Sequence, residues 1–600
     1  MKQHVSTLVG ASRFQQQILE GGKVLCESTS IAELRGRHLQ LLILPFLEGD
    51  QANELREATD SQDRLESLLR TPLDPDQVAN WPQETALLSA STRGHLQAVQ
   101  LLLEARAKVD KADWRGNAPL NCACSEGHVD VARCLLEAGA DKDAAGEGRR
   151  TPLFLSCLRG GPKELVQILL QARSNMEISS KFNTSPLLAA CSGCYVDIAR
   201  MLVEAGATTD SADTLGVSPL LSACRHGSLE LVSLLLRARA TTNIVDRDGT
   251  SPLLVACKNN QIGIARLLIA ARAEPDISNR SGEFALLLAA DAAVIAEKRS
   301  LGGPSRGESN SRRSRSELLR LLLDASADLD KTDGKGMSAR SALAVACEKG
   351  DVEVARLLLQ RGARQKGGEW GKSPLLLACQ NGHSNVVQML LEARAALDCT
   401  HGEASPLLAS CENGHWEVVE LLLRAGVGTE TSESSGISPL IAACERGRLR
   451  VVEVLLASGA AKESDARGIS PLLAASEIGH MDLVSLLIFE RSDLDHVDRG
   501  GRSPLLAASL NGHSDVVRLL LASAADHSKQ DIAGTSPLLA ACSIGSLEIA
   551  QTLLTARADV HLANHAGESP LQLALQRDFT QIAACISSEV AFTSKRAKLK

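Results

Sequence analysis

The sequence predicts an all-α repeat fold, a solenoid of about 15 helix-turn-helix units, and three observations carry that prediction. The first is a start signal of Ser/Thr-Pro-Leu, or its aligned residue, at Thr85, Ala118, Thr151, Ser185, Ser218, Ser251, Phe284, Ser341, Ser373, Ser405, Ser438, Ser470, Ser503, Ser536 and Ser569. Its steps are 32 to 34 residues, apart from one of 57, and a fixed period near 33 marks a stacked helical array. The second is that each copy holds two apolar stripes of helical spacing, neither of which could bury itself alone. The third is composition: aromatic residues are only 2% of 600, as expected where short, close-packed helices leave room for Ala, Leu, Val and Cys.

Residues 373–395 show the unit most clearly. Ser373-Pro374 can open a helix, because proline in the first turn gives up an amide that had no partner there. Leu375, Ala378 and Cys379 share one face. Asn381-Gly382-His383 breaks the helix, since glycine readily takes the positive φ of a tight turn. A second helix follows with Val386, Val387, Leu390 and Leu391 on its inner side.

This period and start signal resemble the ankyrin repeat, over about residues 52–588. The histidine that the family carries after T-P-L is mostly leucine here, as at Leu188, Leu221 and Leu408, whereas the glycine-histidine between the helices stands at His95, His128, His383, His415, His480 and His513. The resemblance implies hairpin fingers between repeats and a role as scaffold, adaptor or inhibitor. Asp-x-x-Gly loops such as Asp246/Gly249 and Asp531/Gly534 fit such fingers, the aspartate starting the turn and the glycine taking its left-handed corner. Arginine replaces the glycine expected after the second helix at Arg106, Arg173, Arg239, Arg272, Arg394 and Arg557, where a cation suits the negative end of the helix dipole.

Residues 1–49 do not follow the repeat. Lys2 to Gly10 reads as a helix, Arg13 to Leu19 as a strand, Gly21 to Leu25 as a turn and short strand, and Leu39 to Leu44 as an apolar strand ending at Pro45. That order resembles the last three quarters of a ubiquitin-like fold. Its first hairpin is missing, because Met1 falls just before the helix, which leaves a small incomplete α+β segment. Residues 50–78 read as a degenerate capping repeat, with Leu55, Ala58, Leu65, Leu68 and Leu69 inside and a polar outer face. The repeats proper then run from 79 to 588. The step of 57 marks an insertion within repeat seven, and residues 298–316, rich in Gly, Pro, Ser and Arg, are expected to be disordered. Ser314 and Ser316 lie beside arginines there, as possible phosphorylation sites. Residues 589–600 read as a basic tail, either a frayed end or a nuclear-import signal.

Net charge is −8, which favours solubility and argues against general nucleic-acid binding. Of 16 cysteines, ten occupy one column of the repeat, from Cys124 to Cys542, as small buried residues rather than a disulfide framework. No signal peptide opens the chain and no apolar run approaches membrane-spanning length. The chain therefore reads as cytoplasmic or nuclear, monomeric, and neither membrane- nor nucleic-acid-bound.

Three motifs imitate chemistry. Gly367 to Ser373 resembles a phosphate-binding loop but is one residue short, and Pro374 stands where that loop's helix should donate amides. Cys191-Ser192-Gly193-Cys194 has redox or zinc spacing but no second Cys/His pair. The Gly-His histidines recur by repeat position and read as turn residues. No catalytic constellation, cofactor or metal is expected, so the predicted function is that of a non-catalytic scaffold binding other proteins. The alternative is the targeting arm of a ubiquitin-pathway or kinase protein whose catalytic part is absent. Candidate contact residues are the finger-tip aromatics Trp81, Trp114 and Phe182, with Arg115 beside Trp114, and Trp370 further along.

Overall fold

The computed structural model describes residues 16–20, 23–24, 39–43, 52–70, 73–78, 84–291, 307–334, 339–366, 372–395, 405–429 and 436–597, with the backbone alone for 16–43, 307–314 and 592–597. The chain divides into two compact units, one of residues 1–289 with 301–327 and one of 290–300 with 328–600.

The first unit opens with three short strands, β1 (Gln16–Glu20), β2 (Lys23–Val24) and β3 (Leu39–Ile43). They form an antiparallel sheet in the order β2-β1-β3, with Leu19 opposite Val24 and Gln16 opposite Ile43. The helix expected at Lys2–Gly10 lies outside the described residues. In the segment read as a cap, helices Ala52–Glu57 and Gln62–Leu69 bury Leu55, Leu65 and Leu69, and the 3-10 turn Ala58–Asp60 between them buries Ala58.

Each repeat that follows is an inner helix, a corner, and an outer helix. Inner helix Pro374–Gln380 begins where the Ser373 hydroxyl accepts the Leu376 N–H at 3.2 Å, with proline in the first turn. It buries every residue from Pro374 to Cys379, because the preceding and following inner helices cover both of its flanks. Outer helix Ser384–Glu392 buries only Val386, Val387 and Leu390 and leaves its polar face to solvent. Within each unit, inner helices pack on inner helices and outer on outer. The cysteine column runs through the inner layer. Burial pushes Cys124, Cys191 and Cys257 up to about 12, and Cys157, Cys411 and Cys444 further still. Where serine replaces cysteine, Ser91 and Ser509 return their hydroxyl protons to helix carbonyls at 2.7 Å.

Repeat seven departs from expectation. Its outer helix is 18 residues long, Gly307–Asp324, twice the nine of a regular outer helix such as Ser384–Glu392. Residues 307–316, expected to be disordered, are therefore helical, while 298–306 lie outside the described residues. The composition argument weighed burial alone. Extending a helix already packed at Leu318, Leu319 and Leu322 needs no new nucleus, and Arg and Glu are good helix formers. The last helix is likewise long, Thr580–Ala597, and takes in residues 589–597 of the expected basic tail.

Both corners of a repeat take left-handed backbone, and they differ. After the inner helix, Gly350 has φ +74, and a Cβ built there would lie 2.5 Å from His383 Nδ1 of the next repeat. Gly94 faces His128 and Gly382 faces His415 in the same way. After the outer helix, Gly426 has φ +90 with open space around it. Arginine stands in this second corner at Arg106, Arg173, Arg239, Arg272, Arg394 and Arg557, with φ between 58 and 66. The helix dipole does not account for their backbone: these arginines hold a strained left-handed conformation, tolerated because nothing crowds the side chain.

Candidate protein-interaction surface

The fingers are built by their aspartates. Asp246 Oδ1 accepts the N–H groups of Asp248 (2.9 Å) and Thr250 (2.8 Å), while Gly249 donates back to the Asp246 carbonyl at 2.9 Å. Neighbouring tips are then joined. Lys181 donates its N–H to Gly148 O (2.7 Å), Thr214 to Phe182 O (2.9 Å), Arg247 to Leu215 O (2.8 Å) and Arg280 to Asp248 O (2.8 Å). In the second unit Ile532 donates to Gly500 O (3.0 Å) and His565 to Ala533 O (3.0 Å). The tips are thus a hydrogen-bonded ladder of fixed register rather than free loops.

On this ladder Phe182 is 64% exposed, and Trp114 is 55% exposed on an earlier finger whose Asn117 Oδ1 accepts the Glu147 N–H at 2.9 Å. The Arg115 guanidinium lies 4.6 Å from the Trp114 ring centre and reaches Glu147 Oε2 at 3.3 Å. Trp81 and Trp370 lie outside the described residues. Ser316 is half-buried on helix Gly307–Asp324, which also carries Ser314 in its backbone. Sequence reasoning passed over Leu215, 55% exposed on the finger after Phe182. An apolar residue at an exposed turn position was the available signal.

Beneath the fingers, charges on the inner helices are matched. Arg225 meets Asp246 at 2.5 Å and Lys258 meets Glu283 at 3.4 Å. In the second unit Arg467 bridges Asp465 and Glu445, each at 2.7 Å. Burial works against the Arg467 charge, yet those two carboxylates hold the guanidinium above its usual value.

Four of the Gly-His histidines are cross-repeat ties through Nε2. His383 Nε2 donates to the Glu348 carbonyl (3.0 Å), His128 to Thr92 (3.0 Å), His415 to Gln380 (3.1 Å) and His513 to Glu477 (3.0 Å). Each ring closes the exposed C-terminal end of the preceding inner helix. Arg448 Nε serves Glu412 O in the same way at 3.2 Å. Asn121 holds the position of the histidine missing after T-P-L in repeat two, and donates to Ala144 O (2.9 Å) and Arg150 O (3.0 Å) of the next finger.

In the loop that imitates a phosphate site, Ser373 is engaged as a helix cap and Lys372 Nζ donates to Gln380 Oε1 at 3.1 Å. Cys191 is buried in the inner layer and Cys194 is exposed. Among the described residues no cluster of three or more His, Cys, Asp or Glu could hold a metal ion, and no helix is long and apolar enough to cross a membrane.

Family descriptions of ankyrin repeats match residues 56–146, 205–280, 310–401, 394–466 and 459–531, and a single ankyrin repeat matches 533–565. These matches cover more than half of the chain, which belongs to the ankyrin-repeat family. Similar solved structures include the human ASB11 ankyrin repeat domain, at 27% identity over 34% of this chain and 92% of that one, with a TM-score of 0.33. An ankyrin repeat domain from Acinetobacter baumannii AYE is 26% identical over 31% of this chain and 98% of that one, with a TM-score of 0.30. No curated protein matches the chain.

Proposed function

We propose that this protein is a non-catalytic scaffold or adaptor that binds other proteins through its fingers and inner helices. The observation that carries the reading is the pair of large exposed aromatics, Trp114 and Phe182, on fingers tied to their neighbours by hydrogen bonds that do not bury the rings. Rigid rings supply contact area with few torsions to freeze, and tryptophan and arginine dominate interface hot spots. Cross-linking of the full chain to its captured partners, followed by mass spectrometry, should map contacts to these tips. Replacing Trp114 and Phe182 with alanine should weaken partner binding by about 2 kcal/mol or more with little change in melting. Lost stability at unchanged affinity would assign the rings to packing.

The N-terminal strands fit a partial ubiquitin-like segment, since β1 pairs antiparallel with both β2 and β3. Ser314 and Ser316, on a basic helical segment, remain the proposed phosphorylation sites, where each phosphate would offset neighbouring arginine charge.

A further inference from the structure

We infer that the finger tips of repeats two to seven receive an acidic, extended peptide of a partner protein, with apolar residues set between its carboxylates. This rests on the protein-binding reading above and names the chemistry of the partner.

Three cations, Lys181, Arg247 and Arg280, are exposed on these tips. Among the described residues none of the three is in an ion pair. They are not the overflow of a basic chain, because net charge is −8. Inner-face cations of the same unit have partners: Arg159 meets Glu126 at 3.0 Å, and Arg225 and Lys258 have the carboxylates described above. Charge is thus matched on the inner face and left unmatched at these tips. Of the tip carboxylates, Glu147 is engaged by Arg115, and Asp248 is exposed beside Arg247.

The same ridge exposes Trp114, Phe182 and Leu215. A ridge that only needed solvation would not place Phe182 and Leu215 between unmatched cations, with Trp114 further along it. The ladder bonds keep Lys181, Thr214, Arg247 and Arg280 in one hydrogen-bonded order, so the ligand groups present a fixed spacing. Fingers follow the packing of the helices beneath them, about 8–10 Å apart. An extended chain rises about 3.3 Å per residue, so it meets a new finger roughly every third residue. From Trp114 to Arg280 the peptide would run about 15 residues. A nucleic acid fits less well, because its phosphates form an unbroken charge row and the acidic chain repels it at distance.

The test is a display selection of random peptides of about 15 residues on the immobilised full chain, followed by anisotropy titration of the selected peptide. The enriched peptides should carry Asp or Glu among Leu and Phe. The combined change Lys181→Gln, Arg247→Gln and Arg280→Gln should lower affinity about tenfold or more, and added salt should weaken the unaltered protein. Those side chains are exposed, so the melting curve should not move; if the triple variant fails to fold, the salt dependence of the unaltered chain decides. No enrichment, enrichment of neutral or basic peptides, or an acidic peptide indifferent to both the triple change and salt would overturn the inference. An oligouridylate of similar length that binds more tightly than any peptide would overturn it in favour of a nucleic acid. Partners cross-linked elsewhere on the fingers or inner helices would leave the scaffold reading standing while this one fails.

Discussion

The two corners of each repeat need the same backbone and meet different neighbours, and this explains which residues occupy them. Gly350, at the inner corner, must turn left-handed and also receive the His383 ring of the next repeat. Gly426, at the outer corner, must only turn. The inner corner admits a side chain where the next repeat lacks a ring: Cys194 sits there with φ 58, and the following repeat carries Ser228 where others carry histidine. A left-handed corner is therefore costly to substitute in proportion to what the neighbouring repeat puts against it.

The sharpest break of this comparison is Gly350→Ala. Strain and overlap with the His383 ring should together destabilise the flanking helices by about 2–5 kcal/mol. Hydrogen exchange of Ala342–Lys349 and Pro374–Gln380 would read the loss locally. Adding His383→Ser recreates the Cys194/Ser228 arrangement, and the double variant should recover about 1 kcal/mol or more relative to additivity. Strict additivity would mean that the ring does not police the corner. Gly426→Ala adds a methyl group in open space and should cost only about 1 kcal/mol. At the bottom of the scale, Arg239→Gly relieves left-handed strain but loses charge at the helix end and gains chain entropy when unfolded, so its effect should lie within about 0.5 kcal/mol of zero. A larger shift in denaturation midpoint would show that the Arg239 side chain has a role beyond the turn.

Much of this was legible in the sequence because it is local. Start signals, apolar stripes and the cysteine column repeat every 32 to 34 residues and need no knowledge of the neighbour. The Gly-His ties were read as turn residues, since nothing in one repeat reveals that His383 reaches back to Glu348 O and over Gly350. Arg239 was read through its charge, because a glycine column with substitutions hides a positive φ. Residues 307–316 were misread because helix propagation from a packed end outweighs a polar composition. At the candidate surface, Trp114 and Phe182 stood out by type, whereas the ladder through Phe182 and the unmatched state of Arg247 emerge only when fingers are set side by side.

The cysteine column turns the protein into its own ruler. Ten thiols, one to a repeat, lie in the inner layer with burial holding each in its unreactive protonated form. An alkylating reagent can reach Cys224 only when that repeat opens, and Cys542 only when a different one does. Timed labelling followed by peptide mapping would thus chart the order in which repeats let go, without any engineered probe. Alkali would draw on the same store. An unfolded thiol ionises near pH 8.5 while Cys224 stays protonated to about 12, so across that window the unfolded chain releases protons first and stability falls as pH rises.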